Sequence, residues 1–286
     1  MLPFNRQLTE GRFAFSPRKP LPFQRFTKCF PCLRIMRARL SLIAAPPRGV
    51  PRVRREATNR IRFVIEDLLP PAVRDSGLFR VAAGFAFRGV EAAANFRKRA
   101  PFLSEQEYVA FYRDWPRVHA ETDLSDACVK RIAEDAVGDS VCDIGCGSGY
   151  LVRYIRDHSP AKPTRVAGVD IVAPESAENS GIEFFEGKAE KLPFPDNEFD
   201  TVICTHVIEH ILDHRAALAE LRRITARRLI IVVPMEREGL YTFNPHFHFF
   251  PYTHSFLRAM IPVPERHVCV QLGRDIYYRE DKVHGE

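Results

Sequence analysis

The chain has 286 residues, is 45% apolar and carries a formal net charge of +6. That length supports one substantial core and a small accessory unit, and no apolar run is long enough to cross a bilayer. The charge is uneven: residues 1–58 hold 13 Lys/Arg against Glu10 and Glu56, a local +11, while the remainder is −5, so the folded body has no gross attraction for nucleic acid.

Residues 1–58 are rich in Arg, Pro and Phe with little periodicity, which predicts a disordered basic tail. Three readings of it stay open. It is a transit segment, being Arg-rich and poor in acids; or a tether to an anionic surface or RNA; or translation truly starts at Met36 and residues 1–35 lie upstream. The seven cysteines are irregularly spaced. They read as free thiols in a reducing, cytoplasmic compartment rather than as a disulfide framework. Cys29-Phe-Pro-Cys32 is a lone C-x-x-C without the partner pair that a zinc site needs.

Residues 59–124 predict a helical cap region. Ile61, Val64, Ile65, Leu68 and Leu69 recur at helical spacing, and Pro70-Pro71 ends that helix. Residues 78–96 are apolar but broken by Arg80, Arg88 and Glu91. They read as an amphipathic helix against the core, with a membrane-surface helix as the alternative. Ser104-Glu-Gln-Glu107 is a capping box that opens a helix running through Tyr112.

Residues 125–286 then alternate strand and helix. Strands are expected at 140–144, 165–170, 182–186, 199–204 and Leu229–Val233. Helices are expected at 149–158, from about Asp213, and at 253–261; two further strands lie at 266–270 and 275–279. Such alternation implies an α/β fold with a doubly wound, mainly parallel sheet.

The first strand runs into Asp143-Ile-Gly145-Cys-Gly147-Ser-Gly149-Tyr150. Alternating glycines let the backbone approach a nucleotide-like ligand, and the next helix offers free N–H groups to an anion. The dinucleotide pattern wants a third glycine where Tyr150 stands, which disfavours an NAD-dependent oxidoreductase. Asp143 instead suits a ligand with a cationic end. Asp170 ends the second strand, 21 residues after Gly149, where a carboxylate can take both ribose hydroxyls. A third landmark is Lys188-Ala-Glu190-Lys-Leu-Pro-Phe194-Pro, followed by Phe199-Asp-Thr-Val-Ile-Cys204-Thr205-His206-Val-Ile-Glu209-His210.

These three landmarks, in order, resemble the class I S-adenosylmethionine-dependent methyltransferases, within the type 11 small-molecule group. The resemblance covers about residues 125–260. It implies a seven-stranded, Rossmann-like sheet with an antiparallel hairpin at one edge and a helical cap on the cleft. It implies S-adenosylmethionine as cofactor: Asp143, Gly145, Gly147 and Gly149 around the methionine part, Asp170 on the ribose, Ile171 on the adenine, Ala189 and Glu190 at the adenine edge, and Thr205 beside the cofactor. Lys188 departs from the family, which often has Asp there. Residues before about 125 are similar to bacterial methyltransferases of surface-glycan and lipid pathways.

Methyl transfer from a sulfonium is an in-line displacement, assisted by positioning and, for a hydroxyl acceptor, by removal of a proton. His206, at the end of the fourth strand, is the first candidate for a general base or substrate-orienting group; the alternative is that it packs on the cofactor. Glu209 and His210 read as structural. His206-Val-Ile-Glu209-His210 also matches H-x-x-E-H, but a zinc peptidase needs that pattern in a helix with a further ligand; no metal is expected. In Asn244-Pro-His246-Phe-His248-Phe249-Phe250, His246 or His248 is expected to orient a substrate hydroxyl, with Phe249 or Phe250 walling the pocket; a core-plugging loop is the alternative. Tyr150 and Phe194 either pack or border the cofactor. The function expected is methyl transfer to a small-molecule, lipid or glycan-precursor acceptor, at oxygen. A non-catalytic protein that only binds the cofactor is the second reading.

Overall fold

Residues 61, 63–86, 90–115, 121–172, 181–242 and 244–282 are described by a computed structural model. The readings of the basic tail, of Met36 and of Cys29-x-x-Cys32 lie outside these residues. Among the described residues, no helix is long and apolar enough to cross a membrane.

Five strands pair in parallel: β1 (Ser140–Ile144), β2 (Arg165–Asp170), β3 (Ile182–Glu186), β4 (Phe199–Thr205) and β5 (Thr225–Pro234). β7 (Asp275–Asp281) runs antiparallel to β5, and β6 (His267–Leu272) closes the edge antiparallel to β7. The sheet order is β3-β2-β1-β4-β5-β7-β6, a seven-stranded doubly wound sheet with the hairpin at its edge. Successive strand residues face opposite sides, so near-continuous apolar strands bury both faces. Cys142, Ile144, Val202 and Ile231 meet α7 (His214–Ile224) and α8 (Thr253–Ala259) on one side. Val141, Ile203, Ile230 and Tyr277 meet α5 (Asp126–Asp135) and α6 (Tyr150–His158) on the other.

β5 starts four residues before its apolar run. Arg228 continues it because its guanidinium pairs with Asp281, its register partner on β7, and donates to the Asp135 carbonyl.

Ahead of the sheet lie α1 (Pro71–Arg74), α2 (Gly77–Ala86), α3 (Val90–Arg99) and α4 (Glu105–Asp114). Here the sequence reading needs correction. Phe63–Leu68 forms a π-helical turn, with Leu69 N donating to Val64 O. Ile61, Val64 and Leu68 are exposed rather than packed. Pro71 starts α1 instead of ending a helix, because a first-turn position needs no N–H. The single helix expected over 78–96 is two. In α3, Ala93, Ala94 and Phe96 are buried, whereas Leu78 and Val81 of α2 stand in solvent. Core packing therefore describes the second half of that run, and in the first half only Ala83 among the described side chains is buried.

Phe96 stacks on Phe111 of α4 with ring centroids 3.6 Å apart. α4 opens with the expected capping box: Ser104 Oγ accepts from Glu107 N, and Glu107 Oε2 accepts from Ser104 N at 3.0 Å. Ser104→Ala is expected to cost about 1 kcal/mol, read as a lowered urea midpoint with an unchanged slope; no change would mean that the Phe96 stack alone holds the helix.

Candidate active site

The strand–turn–helix at β1 is shaped by positive-φ backbone. Gly145, Gly147 and Gly149 have φ of 79°, 56° and 75°, which side-chain-bearing residues rarely adopt. Two of them also lack room. A Cβ on Gly145 would sit 2.1 Å from Val207 Cγ2, and one on Gly149 would sit 2.7 Å from the Phe184 ring. Gly145 N and Cys146 N both donate to Val169 O, tying the turn to β2.

Asp143 and Asp170 meet at this turn. Asp170 Oδ2 accepts from Gly147 N at 2.8 Å and Oδ1 accepts from Val172 N at 3.0 Å. Each oxygen keeps further lone-pair capacity for a ligand. Asp143 is 1% exposed, and its Oδ1 is buried without a hydrogen-bond partner among the described residues. Burial, and then the nearby Asp170 carboxylate, push its carboxyl well above the ordinary range. A buried acceptor with no donor is costly; a cationic N–H group from a ligand would remove that cost.

Both carboxylates line one cavity of about 340 Å³ at the carboxyl ends of β1, β2 and β4, the usual ligand edge of such a sheet. Gly145, Gly147, Ile171, Ala189, Glu190, Thr205 and His206 line it too. Gly149 does not; it caps α6. Lys188 lies on the wall and pairs with Glu105 of α4 at 2.9 Å. Tyr150 packs beside the α5–α6 core, and Phe194 sits edge-on to Phe185 and Phe199. For both, the packing alternative is the observed one.

His206 has φ 54°, just beyond β4, and its N–H donates to Val232 O. Its Nε2 lies 3.2 Å from Asp275 Oδ1 and its Nδ1 4.0 Å from Glu209 Oε1. The Asp275 contact is poorly aligned for a hydrogen bond, so it acts mainly as a charge pair. Burial alone would lower the His206 pKa, but Asp275 and then Glu209 raise it to about 9. Near neutral pH the ring is an imidazolium, which fits an orienting cation rather than a general base.

The H-x-x-E-H segment is not a helix. Only Ile208–His210 forms a 3-10 turn, and both histidines line the cavity. His210 lines the cavity, with Nδ1 3.3 Å from Tyr112 Oη. Burial, then the charges of His246 and His206, push its pKa well below the ordinary value. His246 is a correction to the expected pocket residue. It is 3% exposed and off the cavity wall, with its Nδ1 2.6 Å from Glu236 Oε2 and its ring 4.5 Å from that of His210. His248 Nε2 donates to Ile211 O. Phe249 lies under the Arg97 guanidinium, and Phe250 is buried edge-on to Phe256. The loop plugs the core instead of walling the pocket, because Phe247 N and His248 N both donate to Glu209 O and hold it down.

Sequence reasoning missed the cap's share of the wall, which comes from Tyr108, Tyr112, Arg113 and Trp115 and from Glu121, Thr122, Asp123 and Leu124. The i, i+4 spacing of the two tyrosines after a capping box was the available signal. Nothing local marks Asp275 as the partner of His206.

Residues 142–233 match a family model described as a methyltransferase domain. The uncharacterized methyltransferase YcgJ of Bacillus subtilis is 33% identical over 133 residues, covering 43% of this chain and 49% of the relative. A demethylmenaquinone methyltransferase of Paenarthrobacter aurescens is 33% identical, covering 40% of this chain and 49% of the relative. A probable tocopherol O-methyltransferase of Oryza sativa is 34% identical, covering 32% and 28%. The chain thus spans about half or less of the length of these three relatives.

Proposed function

We propose that this chain, whose residues 142–233 match a methyltransferase-domain family model, is a class I S-adenosylmethionine-dependent methyltransferase that transfers a methyl group to the oxygen of a small-molecule, lipid or glycan-precursor acceptor. The observation that carries this reading is one cavity shared by the orphaned carboxylate of Asp143, the carboxylate of Asp170 and the ring of His206.

When bound, S-adenosylmethionine supplies a sulfonium methyl that an oxygen nucleophile can displace in line. The residues divide the remaining work. Asp143 accepts from the cofactor's ammonium, supplying the charge that its buried site favours pairing. Asp170 uses the lone pairs left by Gly147 and Val172 to hold the ribose hydroxyls. Ile171 packs on the adenine, with Ala189 and Glu190 at its edge, and Gly145 and Gly147 let the backbone pass the methionine part. Residues 59–124 act as the cap: Tyr108, Tyr112 and Trp115 close the acceptor side against water. His206, held as a cation by Asp275, orients the acceptor oxygen and favours its ionised form, the hydroxyl proton passing to solvent before the oxygen attacks the methyl. Two relatives are named for demethylmenaquinone and tocopherol, which favours a ring-bearing, largely apolar acceptor against these aromatic side chains.

Calorimetric titration should show one S-adenosylmethionine and one S-adenosylhomocysteine bound per chain. Labelled cofactor incubated with cell extract should then yield a labelled small molecule. No binding of either ligand would sink the proposal. Binding with no turnover on any acceptor would favour the scaffold reading instead.

A further inference from the structure

We propose that Glu209, His210 and His246 form a binding site for a divalent transition-metal ion, with zinc the ion their chemistry fits. One donor atom from each of the three lies within 4.8 Å of the other two. Two imidazoles and one carboxylate are a recurrent zinc donor set, completed by water in a fourth position. Tetrahedral bonds of about 2.0–2.1 Å set donors roughly 3.3 Å apart, so the ion draws these side chains inward.

The outer contacts select the right atoms. His246 Nδ1 is taken by Glu236 Oε2 at 2.6 Å, and His210 Nδ1 faces Tyr112 Oη at 3.3 Å. The His246 ring thus leaves Nε2 for an ion, while the His210 ring also carries a hydrogen bond to the Pro245 carbonyl that the ion would compete with. A carboxylate behind a ligating imidazole is the usual way that a metal site fixes the tautomer and raises basicity.

Glu209 points to an ion independently. It is 0% exposed, and neither carboxylate oxygen has a hydrogen-bond partner on another residue among those described. The His206 ring is 4.0 Å from Oε1, and His246 acts on the carboxylate in the same sense. A buried carboxylate with no donor is unfavourable, and coordination would offset that. The sequence pattern hides this triad. H-x-x-E-H offers His206 as a ligand, but the chain turns that ring to Asp275, and His246 from the loop after β5 takes its place. The ion would fasten that loop to the segment after β4, beside the cavity wall at His210.

The test uses full-length, tag-free protein, stripped with chelator and then titrated with zinc chloride. Metal content after gel filtration and the thermal midpoint are read without methyl donor or acceptor, so the outcome is separate from that of the methyl-transfer proposal. One zinc per chain and a raised midpoint are expected. Glu209→Gln and His246→Ala should lose the stoichiometric zinc. Glu236→Gln should keep it with about ten- to hundredfold weaker affinity, and His248→Ala should match wild type. Should a ligand variant fail to fold, cobalt(II) on wild-type protein serves: visible d–d bands of a four-coordinate nitrogen and oxygen site support the proposal. No stoichiometric zinc in wild type, undiminished zinc in His246→Ala, or a thiolate charge-transfer band with cobalt would each overturn it.

Discussion

Asp143→Asn is expected to weaken S-adenosylmethionine binding about ten- to hundredfold, the range for one hydrogen bond to a charged group. The amide keeps the shape and removes the charge. The same change should stabilise the free protein at neutral pH, because the wild-type carboxylate is buried with Oδ1 unpartnered. The pH dependence follows from its raised pKa. The folded form holds this proton more tightly than the unfolded chain, whose Asp titrates near ~3.9. Relative to the Asn variant, free wild type is therefore most stable below that value and loses stability as pH rises through the raised pKa. Cofactor binding favours the carboxylate, so it should release a proton below the raised pKa, and affinity should climb with pH and then level off. Calorimetry in buffers of different ionisation heat measures that release. Equal affinity of wild type and variant across pH would remove Asp143 from the site.

The second large effect is at the turn. Gly145→Ala should cost about 2–5 kcal/mol. A left-handed backbone costs roughly 1–2 kcal/mol in an alanine, and the contact with Val207 Cγ2 at 2.1 Å adds an overpacking cost of about 1–3 kcal/mol. Val207 follows His206, so relief of the clash displaces the cavity wall as well, and cofactor affinity should fall at least about tenfold by the same distortion. Gly273→Ala is the control. Its φ is 63°, with no heavy atom within 4 Å of the added Cβ, so it should show the backbone cost alone and unaltered binding. If both variants lose equal stability and neither loses binding, the Gly145–Val207 contact is not what shapes the site.

The parallel core was legible because its signals are local. Asp143-Ile-Gly145-Cys-Gly147-Ser-Gly149 shows an apolar strand, a carboxylate and three residues free to take positive φ. Strand ends fell within a residue or two of expectation except at β5, where Arg227 and Arg228 masked a strand held by Asp281 on β7. The cap was harder to read. Helical spacing at Ile61, Val64 and Leu68 implied a buried face, but the backbone there is π-helical and those side chains are exposed.

In the site, the same division holds. The sequence by itself determined the sheet, the glycine turn and the two carboxylates at its mouth, because backbone period and φ are set by neighbouring residues. Only the tertiary structure decided what the histidines do. His206 is held toward its charged form because Asp275 arrives at the start of β7, an antiparallel strand next to β5, and His246 is buried because Glu209's carbonyl captures its loop. Charge state, burial and donor geometry depend on which distant side chain lies within a few ångströms, and spacing along the chain carries no record of that.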